Sequence, residues 1–434
     1  MEKYIVFHRD LTPADAAVLK SLYSDMEPPR NNLVGDTDSR IGSEKDGTLL
    51  MDKASNQSST KFLTDDKLTP TVLLSVDDYS DRVPRGISKL VIEPFVRWAQ
   101  RVARHDTDVV MIIHLILYFG TSVPSSFLLY QNFSYAHGVA HLVMQIYYIG
   151  TYTLMMHQHI HQRGILSKKY GWFDKLFPYI LDPLMGHTWN TYYYHHVKHH
   201  HVEGNGPDDL SSTIRYQRDS IGDFLRYVGR FFALVWIDLP LYFLRKHRPG
   251  LAMRAAGWEL LTYLFYYTMA TRAGAGATLF VYILPFVLLR LGLMVGNWGQ
   301  HAFVDIDEPT SDFRSSITLI DVASNRFCFN DGYHTSHHLN PLRHWRDHPK
   351  SFLEQKHIYA REGALVFHNI DFLMITYRLL RKDYSHLAKC LVPLGHQREL
   401  TLEDRTELLQ RLTRKMDEKR ILDKFGKGKR TGDS

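Results

Sequence analysis

Cysteine is almost absent from this 434-residue chain. With only Cys328 and Cys390 no disulfide framework can form, and no CxxC pair exists for a zinc or rubredoxin-like site. Any metal must therefore be held by other side chains. Charge of one sign is also scarce: the formal net charge is +6, and its lysines and arginines lie beside apolar spans and in the C-terminal tail. Without an aromatic-studded basic domain, that charge suits a lipid surface and no nucleic acid is expected as partner. The start, Met1-Glu2-Lys3-Tyr4, lacks the regions of a secretory signal, and the acidic residues nearby do not suit a transit peptide. The first apolar span is then expected to serve as an uncleaved anchor. Residues 1–105 form a polar N-terminal region with no recognisable chemistry, and their Ser/Asp/Gly-rich stretch from Asn31 to Thr60 is expected to be disordered.

What the chain has in place of these is long apolar runs and histidine. Val109 to Tyr130 and Tyr135 to Met156 are each long enough to cross about 30 Å of hydrocarbon. Their connection is short, so they predict a helical hairpin. Arg97, Arg101 and Arg104 precede it and Arg163, Lys168 and Lys169 follow it, which puts both outer ends in the cytosol. A second hairpin is expected from Trp258 to Thr271 and Ala277 to Gly296, its first limb short enough to require tilt or local thinning. Ile221 to Leu244 is apolar too. It contains Arg226, Arg230, Asp238 and Pro240, and a fifth crossing would separate histidine clusters that need one another, so an interfacial helix is the better reading.

The histidines fall into four clusters beside the ends of these spans: His157xxxHis161, His195-His196 with His199-His200-His201, Asn297xxxHis301, and His334xxHis337-His338. Imidazole suits iron, zinc, copper or nickel, and spacings of three and four on a helix bring rings to one face. The first pair alone is weak, and His159 between its members is expected to face solvent. Five imidazoles in seven residues are too polar to bury without a ligand. Spacing leaves two triads open there, His196 with His199 and His200, or His196 with His200 and His201. Asn297, one turn before His301, is a candidate for support through water. His334, His337 and His338 make a compact cap that Asn340-Pro341 ends. His114, His137 and His141 are expected to pack or touch headgroups, His344 and His348 to be surface residues or else to support the third cluster from behind its ligands, and Arg290 to snorkel.

These clusters resemble those of the membrane-bound di-iron superfamily of fatty acid desaturases, alkane hydroxylases and fatty acid hydroxylases, over about residues 107–350. The stretch from His200 through Pro207-Asp208-Asp209 to Ser211-Ser212 is similar to the segment after the second box of alkane hydroxylases, as is Asn325-Arg326-Phe327 to Asn330 followed by His334 to Arg343-His344. The resemblance implies nine ligands, His157, His161, His196, His200, His201, His301, His334, His337 and His338, with His199 the alternative and Asn297 acting through water. It implies two iron ions, dioxygen as co-substrate, a lipid or acyl chain as substrate, and electrons from a separate haem or iron-sulfur protein, since no fused HPGG haem signature is present. The hairpin that alkane hydroxylases carry before the first box is missing, and His334 stands where front-end desaturases have glutamine.

The expected fold is all-α integral membrane: two transmembrane helical hairpins (four spans), an interfacial helix and a cytosolic histidine-rich di-iron cap. Residues 106–350 would form the desaturase-like domain and 351–434 a cytosolic helical tail, with Glu403 to Lys424 a solvated helix. The expected location is the endoplasmic reticulum, with the boxes facing the cytosol. Desaturation stands slightly ahead of hydroxylation, with aromatic residues Trp189, Tyr192, Tyr193, Tyr194 and Trp298 at the pocket mouth. A membrane metal transporter would place its ligands along a path near the midplane, whereas these clusters gather on one face.

Overall fold

The computed structural model describes residues 12–26 and 83–426; the Asn31–Thr60 stretch lies outside them. In chain order the main helices are α1 (Pro13–Met26), α2 (Glu93–Val102), α3 (Val109–Gln131), α4 (Tyr135–Gln162), α5 (Gly171–Leu184), α6 (Ile221–Arg245), α7 (Pro249–Thr268), α8 (Ala275–Gln300), α9 (His334–Leu339), α10 (His348–Glu362), α11 (Phe372–Leu380), α12 (Tyr384–Cys390), α13 (Leu402–Leu412) and α14 (Glu418–Phe425). Three of them, α3, α6 and α8, are long and apolar enough to cross a membrane. Helices α3 and α8 each carry one π turn, Tyr118–Ser122 and Leu279–Ile283, just ahead of Pro124 and Pro285. A proline ring removes one α-helical hydrogen bond and crowds the preceding turn, and local π winding absorbs both effects.

Helices α3 and α4 form the first hairpin. The Ser134 hydroxyl caps α4 by accepting from the His137 amide, and Tyr118 of α3 hydrogen-bonds Thr151 of α4 at 2.7 Å. At the far end the two outer flanks meet, Ala103 pairing with Leu166 in an antiparallel bridge and Arg104 donating to the Arg163 carbonyl. Both flanks therefore lie on the same side of the hairpin. Helix α7 runs on through a π turn to Ala273, so it is longer than its apolar part, and neither α7 nor α4 is among the helices long and apolar enough to cross. Arg290 does not snorkel either. It is buried between α7 and α8, paired with Glu259 and bonded to Tyr263, because packing puts a carboxylate at its own depth.

The cap is not wholly helical. A three-stranded sheet pairs β1 (Ile317–Ile320) in parallel with β2 (Leu365–His368), Ile317 opposite Leu365, and β2 antiparallel with β3 (Leu391–Val392). The strands are short and all their residues are buried, so they lack the alternation that marks a half-exposed strand. Pairing of β1 with β2 carries the core across residue 350. Leu409, Leu412 and Ile421 bury one face of α13 and α14, so the Glu403 to Lys424 stretch is packed, with a break between the two helices. Arg218, fully buried, donates to the carbonyls of Ala302, Thr213, Leu412 and Arg414 and so ties this tail to the cap.

Helix α1 packs Val18, Leu19 and Leu22 against Ile320, Tyr333, Phe352 and Leu353. Its Asp15 accepts from the Tyr333 hydroxyl at 2.6 Å and the Asn325 amide at 3.1 Å. The N-terminal region thus braces the residue immediately before His334.

Candidate metal centre

Four separated elements deliver imidazoles to one place. Helix α4 ends with His157 and His161, one turn apart and both buried, before Arg163 takes the left-handed conformation and stops it. The second cluster lies on a π-helical turn, Tyr193–His200, a winding that sequence periodicity does not reveal. Its wider turn brings residues five apart to one face, and the Nε2 atoms of His196 and His201 come within 3.1 Å. His301 is the residue after α8, and α9 presents His334, His337 and His338.

The rings sort into two adjoining groups. His157, His161, His196, His201 and His337 bring their nitrogens within 4.8 Å of one another, as do His200, His301 and His338. His334 joins the second group, its Nε2 lying 3.3 Å from that of His301 and 3.1 Å from that of His338. Within the first, His337 Nε2 is 3.0 Å from His157 Nε2 and 2.9 Å from His201 Nε2. Two nitrogens each about 2.1 Å from a shared cation lie about 3.0 Å apart at a right angle and about 3.4 Å apart at the tetrahedral angle, so these separations fit ligands of common ions.

The hydrogen bonds fix which nitrogen faces inward. His301 Nδ1 donates to the Ser315 carbonyl at 2.6 Å and His200 Nδ1 to Asp209 Oδ2 at 2.7 Å, which leaves both Nε2 atoms bare toward the cluster. His161 Nε2 is buried with no hydrogen-bond partner. Bare nitrogens converging out of water repel one another unless a cation sits among them. Burial, followed by the neighbouring rings, holds His196, His201, His334, His337 and His338 well below the ordinary histidine range, and His301 at about 4. All are neutral at pH 7, the form that binds metal.

A third group, His195, His199 and Asp209, also has its atoms close together. It makes a poor ion site. The Asp209 carboxylate already accepts from His200 Nδ1, the amides of Asn205 and Ser211, and the Ser211 hydroxyl, which fills its acceptor positions. Burial alone would raise this carboxyl, but His200, His199 and His195 outweigh it and hold it well below the usual range. His199 faces away from both groups of rings, with Nε2 at 3.1 Å from the Asp208 carbonyl and its ring edge-on to Tyr242. Asn297 donates to the Ser211 carbonyl and the Tyr227 hydroxyl, tying α8 to the loop that carries Asp209.

Several outlying residues differ from expectation. His159 is half-buried, bonded to the Asp174 carbonyl. His344 contacts the Asp108 carboxylate at 3.0 Å and His348 is buried on Ser336, so neither is a simple surface residue. A cavity of about 780 Å³ reaches the histidines, bounded by α4 from Ile146 to His157, by α8 from Leu288 to Gln300, and by cap residues Ala323 to Asp331. Of the expected mouth aromatics, Tyr192 lines it and stacks on His196, whereas Trp298 is buried away from it among Tyr227 and Phe224. Trp189, Tyr193 and Tyr194 are not among its lining.

A family model described as fatty acid desaturase matches residues 133–369, which include all four histidine clusters. Comparison with curated proteins and with solved structures gave no match.

Proposed function

The chain belongs to the fatty acid desaturase family of oxidoreductases, and from that premise we propose that it oxidises a lipid acyl chain with dioxygen at two irons, most simply as a desaturase. The observation that carries this reading is the convergence of nine imidazoles from four elements into two adjoining groups beside an apolar cavity. His157, His161, His196, His201 and His337 would hold one ion, and His200, His301, His334 and His338 the other. The chemistry that bound iron supplies is reduction of dioxygen with external electrons and removal of hydrogen from an unactivated C–H bond, which no side-chain acid or base reaches.

The protein's own part is binding, orientation and exclusion of water. Ser315 and Asp209 lock the tautomers of His301 and His200. The α4 and α8 walls hold a methylene chain beside the rings, and their apolar side chains keep water out. Electrons would come from a separate haem or iron-sulfur protein. Hydroxylation is the second reading, favoured by the likeness of the His200 to Ser212 segment to alkane hydroxylases.

Four crossings account best for the topology. The rings of His200 and His301 lie 5.6 Å apart, yet α6, α7 and α8 intervene in the chain. An even number of these three must cross. Helix α6, with Arg226, Arg230 and Asp238, is the one suited to the interface although it is long enough to span. The basic flanks of the first hairpin support a cap on the cytosolic side, and the reading extends to the endoplasmic reticulum.

Lipid mass spectrometry on cells expressing the wild type or His334→Ala tests this reading. A new double bond or hydroxyl that disappears in the variant is the expected result. Purified protein that carries zinc without iron and changes no lipid would overturn it.

A further inference from the structure

The wall of the cavity formed by the cap carries polar groups that the histidine site does not use. Asp331 lines the cavity, and its carboxylate makes no hydrogen bond or ion pair with any described residue. Ser324, on the same wall, buries its hydroxyl oxygen without a partner. Asp371 is the other carboxylate in the lining, and it caps α11 by accepting from the Met374 amide. No lysine or arginine is among the described residues that line this cavity. Most of the remaining surface is apolar, and α4 exposes Ile146 and Tyr147 at the end farthest from His157. Ile146 to His157 is eleven residues, about 16 Å along the helix. One end therefore opens toward lipid and the other ends against the cap.

Asp331 is only partly buried, but its carboxylate faces the cavity without a partner and the Ser324 hydroxyl is enclosed without one, and polar groups left so cost free energy that a structural role would not repay. Burial pushes the Asp331 carboxyl up to about 7, and nothing on the protein offsets that cost. A ligand that brought a donor to it would.

We propose that Asp331, with Ser324 on the same wall, is the recognition point for the polar end of the lipid, and that this end is a hydrogen-bond donor carrying no negative charge, such as an alcohol, amide or amine. A free carboxylate or a phosphate lodged there would meet the Asp331 carboxylate, with no lysine or arginine among the described lining residues to offset it. The proposal rests on the lipid-oxidising reading for the cavity's purpose, and it assigns the class of substrate within it.

The test measures binding of labelled octadecanol, octadecylamine, octadecanoate and octadecane to the full chain in nanodiscs, in iron-loaded and iron-free protein. At pH 8.5, where Asp331 is ionised, the two donor lipids should bind about tenfold or more tighter than octadecanoate, the scale of one hydrogen bond to a charged group. In Asp331→Leu that preference should shrink to less than about twofold, while octadecane binding, which reports an intact cavity, is unchanged. Octadecanoate binding as tightly as the donors, or a preference that survives Asp331→Leu with octadecane binding intact, would overturn the assignment. If Asp331→Leu lost octadecane binding, Asp331→Asn would be measured in its place, and an undiminished preference for octadecylamine over octadecanoate there would also refute it. Because binding is read without turnover, donor lipids that bind while no lipid is oxidised would sink the oxidoreductase reading and leave this one standing.

Discussion

Replacing Asp209 by asparagine removes one charge and one acceptor from the group that orients His200. The carboxylate accepts from His200 Nδ1 at 2.7 Å, the Ser211 amide and hydroxyl at 2.8 Å each, and the Asn205 amide at 3.2 Å. Asparagine has the same shape but only one acceptor oxygen, so in either orientation its amino group faces an N–H donor. The least costly relief is for His200 to move its proton to Nε2, the atom that faces the cluster. Losing one charge-assisted hydrogen bond costs about 1.5–3 kcal/mol, and removing an outer partner of a metal-bound histidine weakens the metal about 10- to 100-fold, or about 1.4–2.7 kcal/mol. Iron retention in competition with a chelator of known affinity reads this directly, with the unfolding midpoint of iron-free protein measured in parallel. The expected result is that one iron leaves at about 10- to 100-fold lower chelator concentration while the other is little changed. A chelator profile identical to wild type would refute the orienting role of Asp209 and with it the assignment of His200 as a ligand.

Glu259→Gln should lower unfolding stability by about 3–5 kcal/mol by leaving Arg290 as a buried uncompensated charge, and the double change Glu259→Leu with Arg290→Leu should recover most of the loss; denaturant titration in detergent measures both. Arg218→Met should cost more than about 3 kcal/mol, because three buried carbonyls and the part-buried one of Arg414 lose their donor, and proteolysis should then release the chain beyond Leu412 first. The pH dependence of α1 docking has a definite sign. Burial raises Asp15 from 3.8 to about 6, so the folded state holds its proton longer than the unfolded chain. Docking is strongest below about pH 4 and weakens as pH rises through about 6, by about 3 kcal/mol at about 1.36 kcal/mol per pKa unit. Protection of Pro13–Met26 from protease should fall from pH 5 to pH 7 in the wild type and stay level in Asp15→Asn.

The long helices and histidine clusters were legible because each is a local pattern. Val109 to Tyr130 and Tyr135 to Met156 read as apolar runs, and His334 with His337 and His338 as one helical face. The partnering of Arg290 with Glu259 was not legible, since it depends on the depth at which α7 and α8 meet. The small sheet escaped for a similar reason. Its strands are four, four and two residues long, pairing Ile317 with Leu365 and Val366 with Val392 across long stretches of sequence, with no alternation to announce them. The π winding at Tyr193–His200 is invisible to any reading that assumes an α-helical turn. It bears directly on the crowded second cluster, where His200 and His201 face the groups and His199 turns to Asp208. Helix α1 was hidden by its polar surroundings, and its burial of Asp15 against Tyr333 is a long-range contact.

Counting metals per chain tests the central claim most directly. Elemental analysis of protein purified from an iron-replete host should give two irons per chain, falling toward one in both His161→Ala and His338→Ala, one variant from each group of rings. A wild type with zinc in place of iron, or with at most one metal that neither substitution removes, would contradict the account.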